Sequence, residues 1–219
     1  MIPRSSSPKA FTLIELLTVI AIIGILMAII FPMVGAVRVA ANKAKVKVMF
    51  SQWATAMGQF KQEYGYFPQV DSGGTANKVN PAAFIGALTT RSATTGTVLP
   101  TTDTNLCGNV RLNVYFTIAD TEIDKTTTPY QLVDAFGNRD FGVIYDKDGD
   151  GLITTTDCPS GAPAVTAVGG GTFTPSPTVL PLPVVTSPST AIRANVLFYS
   201  AGVGGSGTVK SSDAVMSWQ

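Results

Sequence analysis

Between Leu16 and Val37 the chain runs for 22 residues without a charged side chain. As a helix that length crosses ~30 Å of hydrocarbon, and in lipid a helix satisfies every backbone polar group internally. Helix is therefore predicted through this run. A cleavable secretory signal has a shorter apolar region, about 7–15 residues, ahead of a small-residue cut site. Val34-Gly35-Ala36 offers one poor version of such a site. Charge alone leaves the orientation open. Arg4 and Lys9 precede the run, Arg38, Lys43, Lys45 and Lys47 follow it, and the positive-inside rule favours the latter group on the cytoplasmic side.

Glu15 stands at the head of this run. A carboxylate entering a membrane costs less there than the ~2.5–3.5 kcal/mol of a midplane charge, but it still needs an explanation. One is an interfacial Glu that reaches the headgroups. The other is a partner. A chain cut before Phe11 would carry a new α-amino group one turn away, opposed by the positive end of the helix dipole, and Glu15 would offset it. The amine of a neighbouring chain would serve equally, and in lipid that pairing would set the axial stagger between subunits. Lys9-Ala10-Phe11-Thr12-Leu13-Ile14-Glu15-Leu16 resembles the class III leader of type IV pilins and type II secretion pseudopilins. The resemblance implies that prepilin peptidase cuts between Ala10 and Phe11 on the cytoplasmic face and that Phe11 is then N-methylated. It also implies a cytoplasmic leader at residues 1–10, while the amine pairing gives Glu15 its expected assembly role. Ala10 stands where the family usually has Gly, and Pro32 lies where members often have a helix-bending proline.

Past Arg38 no breaker interrupts the pattern. Val46, Phe50, Trp53, Met57, Phe60 and Tyr64 step by four, three, four, three and four, one face of a helix, with Lys47, Ser51, Thr55 and Gln62 away from it. One long helix is predicted over 11–64, with its membrane-spanning half at 13–37. Leu13 to Tyr64 would measure ~78 Å at 1.5 Å per residue. Gly65-Tyr66-Phe67-Pro68 stops it. Residues 65–219 then read as a sheet domain that covers the apolar stripe. The predicted fold class is α+β, a long N-terminal helix packed on a small antiparallel β-sheet. Strict alternation from Val110 to Ile118 predicts the clearest strand, with others at 131–133, 141–145 and 195–200. Residues 89–104 read as loop. The insert 159–190 holds seven of the fourteen prolines and is predicted as an extended or mobile coil. Glu63 to Pro68 is similar to the turn that closes the long helix of major pseudopilins. Asp134-Ala135-Phe136-Gly137-Asn138 resembles a degraded form of their Asp-Pro-Trp-Gly-Asn turn.

Residues 146–157 fit a twelve-residue calcium loop. Asp146, Asp148 and Asp150 occupy positions one, three and five, Gly151 makes the tight turn, Ile153 is the apolar eighth residue, and Asp157 is the twelfth. The Leu152 carbonyl would be a further ligand, and Thr154 would bind directly or through water. An acidic surface turn is the plainer reading, but three carboxylates at alternate positions repel one another without a cation. Asp in place of Glu at position twelve shortens the reach, and no helix pair flanks the loop, so the expected affinity is ~10⁻⁴–10⁻³ M. By resemblance, Ser211-Ser212-Asp213 matches the calcium-binding end of major pseudopilins, but Val203 stands where an acidic residue is expected. Cys107 and Cys158 are the only cysteines. They form either one disulfide closing a loop of ~50 residues, worth ~2–4 kcal/mol, or two free buried thiols. Their spacing excludes CxxC redox or zinc chemistry.

The chain has no histidine, which removes Ser-His-Asp triads, Cys-His dyads and imidazole general bases. A net charge of +1 leaves no basic field for nucleic acid. The expectation is a non-enzymatic subunit of a type II secretion pseudopilus. Its implied partners are copies of itself, other pilin-like subunits, prepilin peptidase, an inner-membrane assembly platform, and the membrane before assembly. The implied location is the bacterial inner membrane, single pass, with the C-terminal domain periplasmic. Two alternatives stay open: a type IV pilin for adhesion or motility, and an anchored calcium-binding domain that never polymerises.

Overall fold

The computed structural model describes residues 11–71, 77–154, 157, 162–175 and 192–218. Helix α1 runs from Leu13 to Tyr64, and the chain divides into two units, Met1–Ala41 and Asn42–Gln219. In the first unit the side chains of residues 11–31 are exposed, among them Leu13, Ile14, Leu16, Ile20 and Phe31. The most apolar stretch has a mean hydropathy of 2.9 with none of it buried, which makes α1 long and apolar enough to cross a membrane. Bare apolar surface forfeits ~25 cal/mol per Å², so this helix demands a covering of lipid or other apolar helices.

In the second unit the predicted stripe is the core. Val46, Phe50, Trp53, Met57 and Phe60 are buried, joined by Met49 and Ala56, while Lys47, Ser51, Thr55 and Gln62 are exposed. Trp53 is the centre of an aromatic cluster. Its ring lies 4.7 Å from that of Phe84, 5.3 Å from Phe141 and 5.4 Å from Phe198, centroid to centroid, the last two edge-on. Such pairs add ~0.5–1.5 kcal/mol each beyond area burial. α1 ends at Gly65, whose φ of 82° is the left-handed stop that only glycine adopts without strain, and whose N–H reaches the Lys61 carbonyl.

A second helix, α2 (Pro81–Thr89), was not expected. Asn80 caps it by accepting from the N–H groups of Ala82 and Ala83, and Pro81 opens its first turn. Among the described residues seven strands follow: β1 (Ile123–Asp124), β2 (Gln131–Leu132), β3 (Phe141–Tyr145), β4 (Val165–Thr166), β5 (Thr172–Phe173), β6 (Val196–Ser200) and β7 (Val215–Met216). The main sheet is antiparallel in the order β3-β6-β7, with Phe141 opposite Ser200 and Tyr145 opposite Val196. Residues 77–79 close the outer edge of β3 through backbone bonds to Phe141 and Val143. The chain is therefore α+β, a long N-terminal helix packed against small antiparallel sheets.

β3 and β6 are buried on both faces. Phe141, Val143, Tyr145, Val196 and Phe198 join α1 and α2 in one core. Ile144, Leu197 and Tyr199 join a second core with Val165, Ala167 and Phe173. The expectation for 159–190 is corrected here. Residues 162–175 contain the hairpin β4–β5, which buries Val165 and Phe173; residues 159–161 and 176–190 lie outside the described residues. The strand expected over 110–118 is also absent. Asn109 accepts from the N–H of Asn113 through its side chain and from that of Leu112 through its carbonyl, and Leu112 has φ 54°, which breaks the extended alternation. Val110 and Val114 are exposed, while the N–H groups of Tyr115 and Phe116 both donate to the Leu88 carbonyl. The turn at 134–138 is organised by buried Asp134. Its carboxylate accepts from the backbone N–H of Phe136 and Asn138, the Asn138 amide and the Ser200 hydroxyl; burial still raises its pKa.

Gly142 sits opposite Tyr199 on β6, where an added Cβ would lie 1.9 Å from the Tyr199 ring. Gly142→Ala is expected to destabilise the detergent-solubilised chain by about 1–3 kcal/mol in denaturant unfolding. Gly205, whose Cβ would meet nothing within 4 Å, is the control, with Gly205→Ala expected within about 0.5 kcal/mol of the parent.

Candidate functional site

The start of α1 is closed by two side chains. The Glu15 carboxylate accepts from the Thr12 N–H at 2.9 Å and from its hydroxyl at 2.7 Å, and the Glu15 N–H donates back to the Thr12 hydroxyl at 3.3 Å. This is a reciprocal capping box, which satisfies N–H groups that the first turn leaves without helical partners. The Thr-x-x-Glu spacing was legible in the sequence and marks Thr12 as a residue that reasoning from Glu15 alone missed. The cap turns the carboxylate back toward the chain start, where exposed Phe11 precedes the helix. Ala10 lies outside the described residues.

The acidic loop follows β3 directly. Asp146 donates its N–H to the Asn195 carbonyl, which continues the β3–β6 pairing into the first residue of the loop. Carboxylate oxygens of Asp146, Asp148 and Asp157 lie within 4.8 Å of one another. Asp146 and Asp157 are buried and Asp148 is exposed. Asp157 is held by the Lys147 N–H at 2.7 Å on one oxygen and by the Thr154 N–H at 2.8 Å on the other. Asp146 accepts from Gly149 and Gly151, whose positive φ angles let the backbone curl around it. Burial works to raise the Asp146 pKa, but these N–H donors, the Lys61 ammonium and Asp148 together hold it below the ordinary carboxylate value. Three converging carboxylates, two of them buried, suit a hard divalent cation, so this triad could hold a metal.

The remaining predicted ligands divide. Asp150 lies outside the triad, exposed, with its carboxylate accepting from the Leu152 N–H at 2.7 Å. Thr154 directs its hydroxyl to Asp157 at 3.3 Å. Asp213 has no accompanying group of metal-ligating side chains among the described residues. Cys107 is a free thiol that donates to the Gln69 carbonyl at 3.2 Å; Cys158 lies outside the described residues. Burial, aided by the nearby Asp71 charge, pushes the Cys107 thiol up to about 11.

Two residues beside the loop were not anticipated. Lys61, in the last turn of α1, places its ammonium 3.5 Å from Asp146 Oδ2 and 4.4 Å from the Phe67 ring centroid. Asp71 shares with Lys61, Cys107, Tyr145, Asp146 and Asp148 the lining of a cleft of about 530 Å³. It is 6% exposed, and its Oδ1 has no hydrogen-bond partner.

Residues 6–31 match the family model of the prokaryotic N-terminal methylation motif. No curated protein and no solved structure matches the chain. The chain thus carries at its N-terminus the methylation motif of type IV pilin-like prepilins, on a helix whose later turns, Asn42 to Tyr64, form part of the second unit.

Proposed function

We propose that the chain is a structural, non-enzymatic subunit of a helical filament, the pseudopilus of a type II secretion system. Residues 1–10 are the leader, 13–37 span the bacterial inner membrane once, and the sheet domain is periplasmic. The carrying observation is the methylation motif on a bare apolar helix whose head is the Thr12–Glu15 cap. Prepilin peptidase removes the leader and methylates Phe11. The new ammonium then lies one residue from Thr12, within reach of the carboxylate that the cap aims toward it. In the membrane lipid covers the helix. In the filament neighbouring helices replace lipid, and Glu15 paired with an amine of the same or an adjacent copy sets the register. The turns at 63–68 and 134–138 support the secretion pseudopilus over a surface pilus for adhesion or motility, which is the second reading. Other pilin-like subunits and an inner-membrane assembly platform are the further partners.

Calcium is proposed as the ion of the acidic loop, held by Asp146, Asp148 and Asp157, with Asp150, the Leu152 carbonyl and Thr154 completing the set. Its role is structural: it neutralises carboxylates that Asn195 and the β3–β6 pairing hold in place.

Three outcomes are expected. Mass spectrometry of the native protein should find its N-terminus at N-methylated Phe11, and a terminus after Ala36 would overturn the reading. Glu15→Ala should leave membrane insertion intact and abolish sheared filaments detected by sedimentation and immunoblot. An anchored, non-polymerising domain would show no filaments with or without the change. CaCl₂ at about 100 times Kd should raise the unfolding free energy by about 2.7 kcal/mol. Asp146→Asn and Asp157→Asn should lose that gain, and Asp150→Asn should lose less of it; no calcium effect on the unmodified chain sinks the metal reading.

A further inference from the structure

Lys61 and Asp71 form a set with the acidic loop that its ligand pattern does not explain. The Lys61 ammonium is 3.5 Å from Asp146 Oδ2, an oxygen of a carboxylate whose side chain is 1% exposed. A calcium ion in the loop requires that same carboxylate. Two positive charges cannot share it closely in a partly buried site, where their repulsion is weakly screened. The Lys61 side chain is 30% exposed, and its ammonium, 4.4 Å from the Phe67 ring centroid, ends a flexible four-carbon stem that can carry it from one carboxylate of the cleft to another.

Asp71 lines the same cleft. A carboxylate oxygen that is buried and without a hydrogen bond is costly, and such an orphan calls for a partner the fold can supply. The Tyr145 hydroxyl hydrogen-bonds Asp71, which leaves Oδ1 as the oxygen without a partner. The other cation of the cleft, Lys147, has its ammonium 3.5 Å from Asn77 Oδ1 and 5.3 Å from the Tyr145 ring centroid.

We propose that Lys61 is a tethered competitor for the loop's cation, exchanging Asp146 for Asp71 when calcium takes Asp146. The chain then carries its own counter-ion for the acidic loop, and calcium binding repositions one side chain at the C-terminal turn of α1. The competition lowers calcium affinity below what the donor set alone would give. The inference rests on the calcium reading of residues 146–157 and goes beyond it by assigning roles to two residues outside the loop.

Isothermal titration of the full chain in detergent with CaCl₂ tests it. Lys61→Met keeps an unbranched side chain of similar length and removes the charge, and it is expected to tighten binding about fivefold. Lys147→Met removes an equal charge from the same cleft without freeing Asp146 and should change affinity by less than about twofold. Asp71→Asn should weaken binding in the parent chain and have no effect in the Lys61→Met background. Without calcium, Lys61→Met should lower the melting temperature, and with saturating calcium the loss should shrink. Lys61→Gln is the second variant should Lys61→Met fail to fold. If neither the parent nor the Lys61 variant binds calcium, the loop reading falls and the inference with it. If the parent binds and Lys61→Met binds no tighter, or no tighter than Lys147→Met, the inference alone is overturned. An Asp71→Asn variant that binds like the parent removes Asp71 from the exchange.

Discussion

The pairing of β3 with β6 is the constraint on which the second unit depends. Successive side chains on a strand point to opposite faces, so ten residues in register supply both cores at once. Phe141, Val143, Tyr145, Val196 and Phe198 face α1; Ile144, Leu197 and Tyr199 face the β4–β5 hairpin. A one-residue slip would exchange these sets and leave the Trp53 cluster without Phe141 and Phe198. The same register delivers Asp146 to its place, because the last rung of the ladder at Tyr145 is followed by the bond from Asp146 to Asn195. Core packing and the acidic loop are therefore set by one alignment.

How far the sequence disclosed this arrangement depended on whether the decisive interaction was local. The stripe from Val46 to Phe60 was legible because helical spacing alone reports which face is buried. The strands at 141–145 and 196–200 were legible from their apolar runs. The segment from Val110 to Ile118 misled because alternation cannot reveal a left-handed residue, and Leu112 is an unusual place for one. Helix α2 was overlooked although Asn80-Pro81 is a local start signal; its nine residues are nearly all apolar, so it shows no amphipathic period. The hairpin at 165–173 was hidden by proline and glycine composition, which describes the segment's average and not the few residues it buries. In the acidic loop the spacing gave the carboxylates, but only the fold separates Asp150 from the triad and brings Lys61 and Asp71 beside it. Those two stand 85 and 75 residues before Asp146, a distance over which no spacing rule operates.

Two acidic centres thus stand at the two ends of α1, and each is handled by the same physical device. At the head, Thr12 supplies two donors to Glu15 while leaving the carboxylate facing the chain start. At the foot, backbone N–H groups and one lysine surround Asp146. In both places the fold offers partial compensation, enough to hold a charge in position without cancelling it. A fully paired carboxylate would have no further use for an amine or a metal.

The margins of the β3-β6-β7 sheet carry a consequence for copies of this chain that meet at high concentration. One margin is sealed by residues 77–79, and the other is a strand of only two residues. Neither offers a foreign backbone a long row of open hydrogen-bonding groups. Crowded copies are thereby kept from zipping together strand to strand, and any lawful association is left to side chains and to α1.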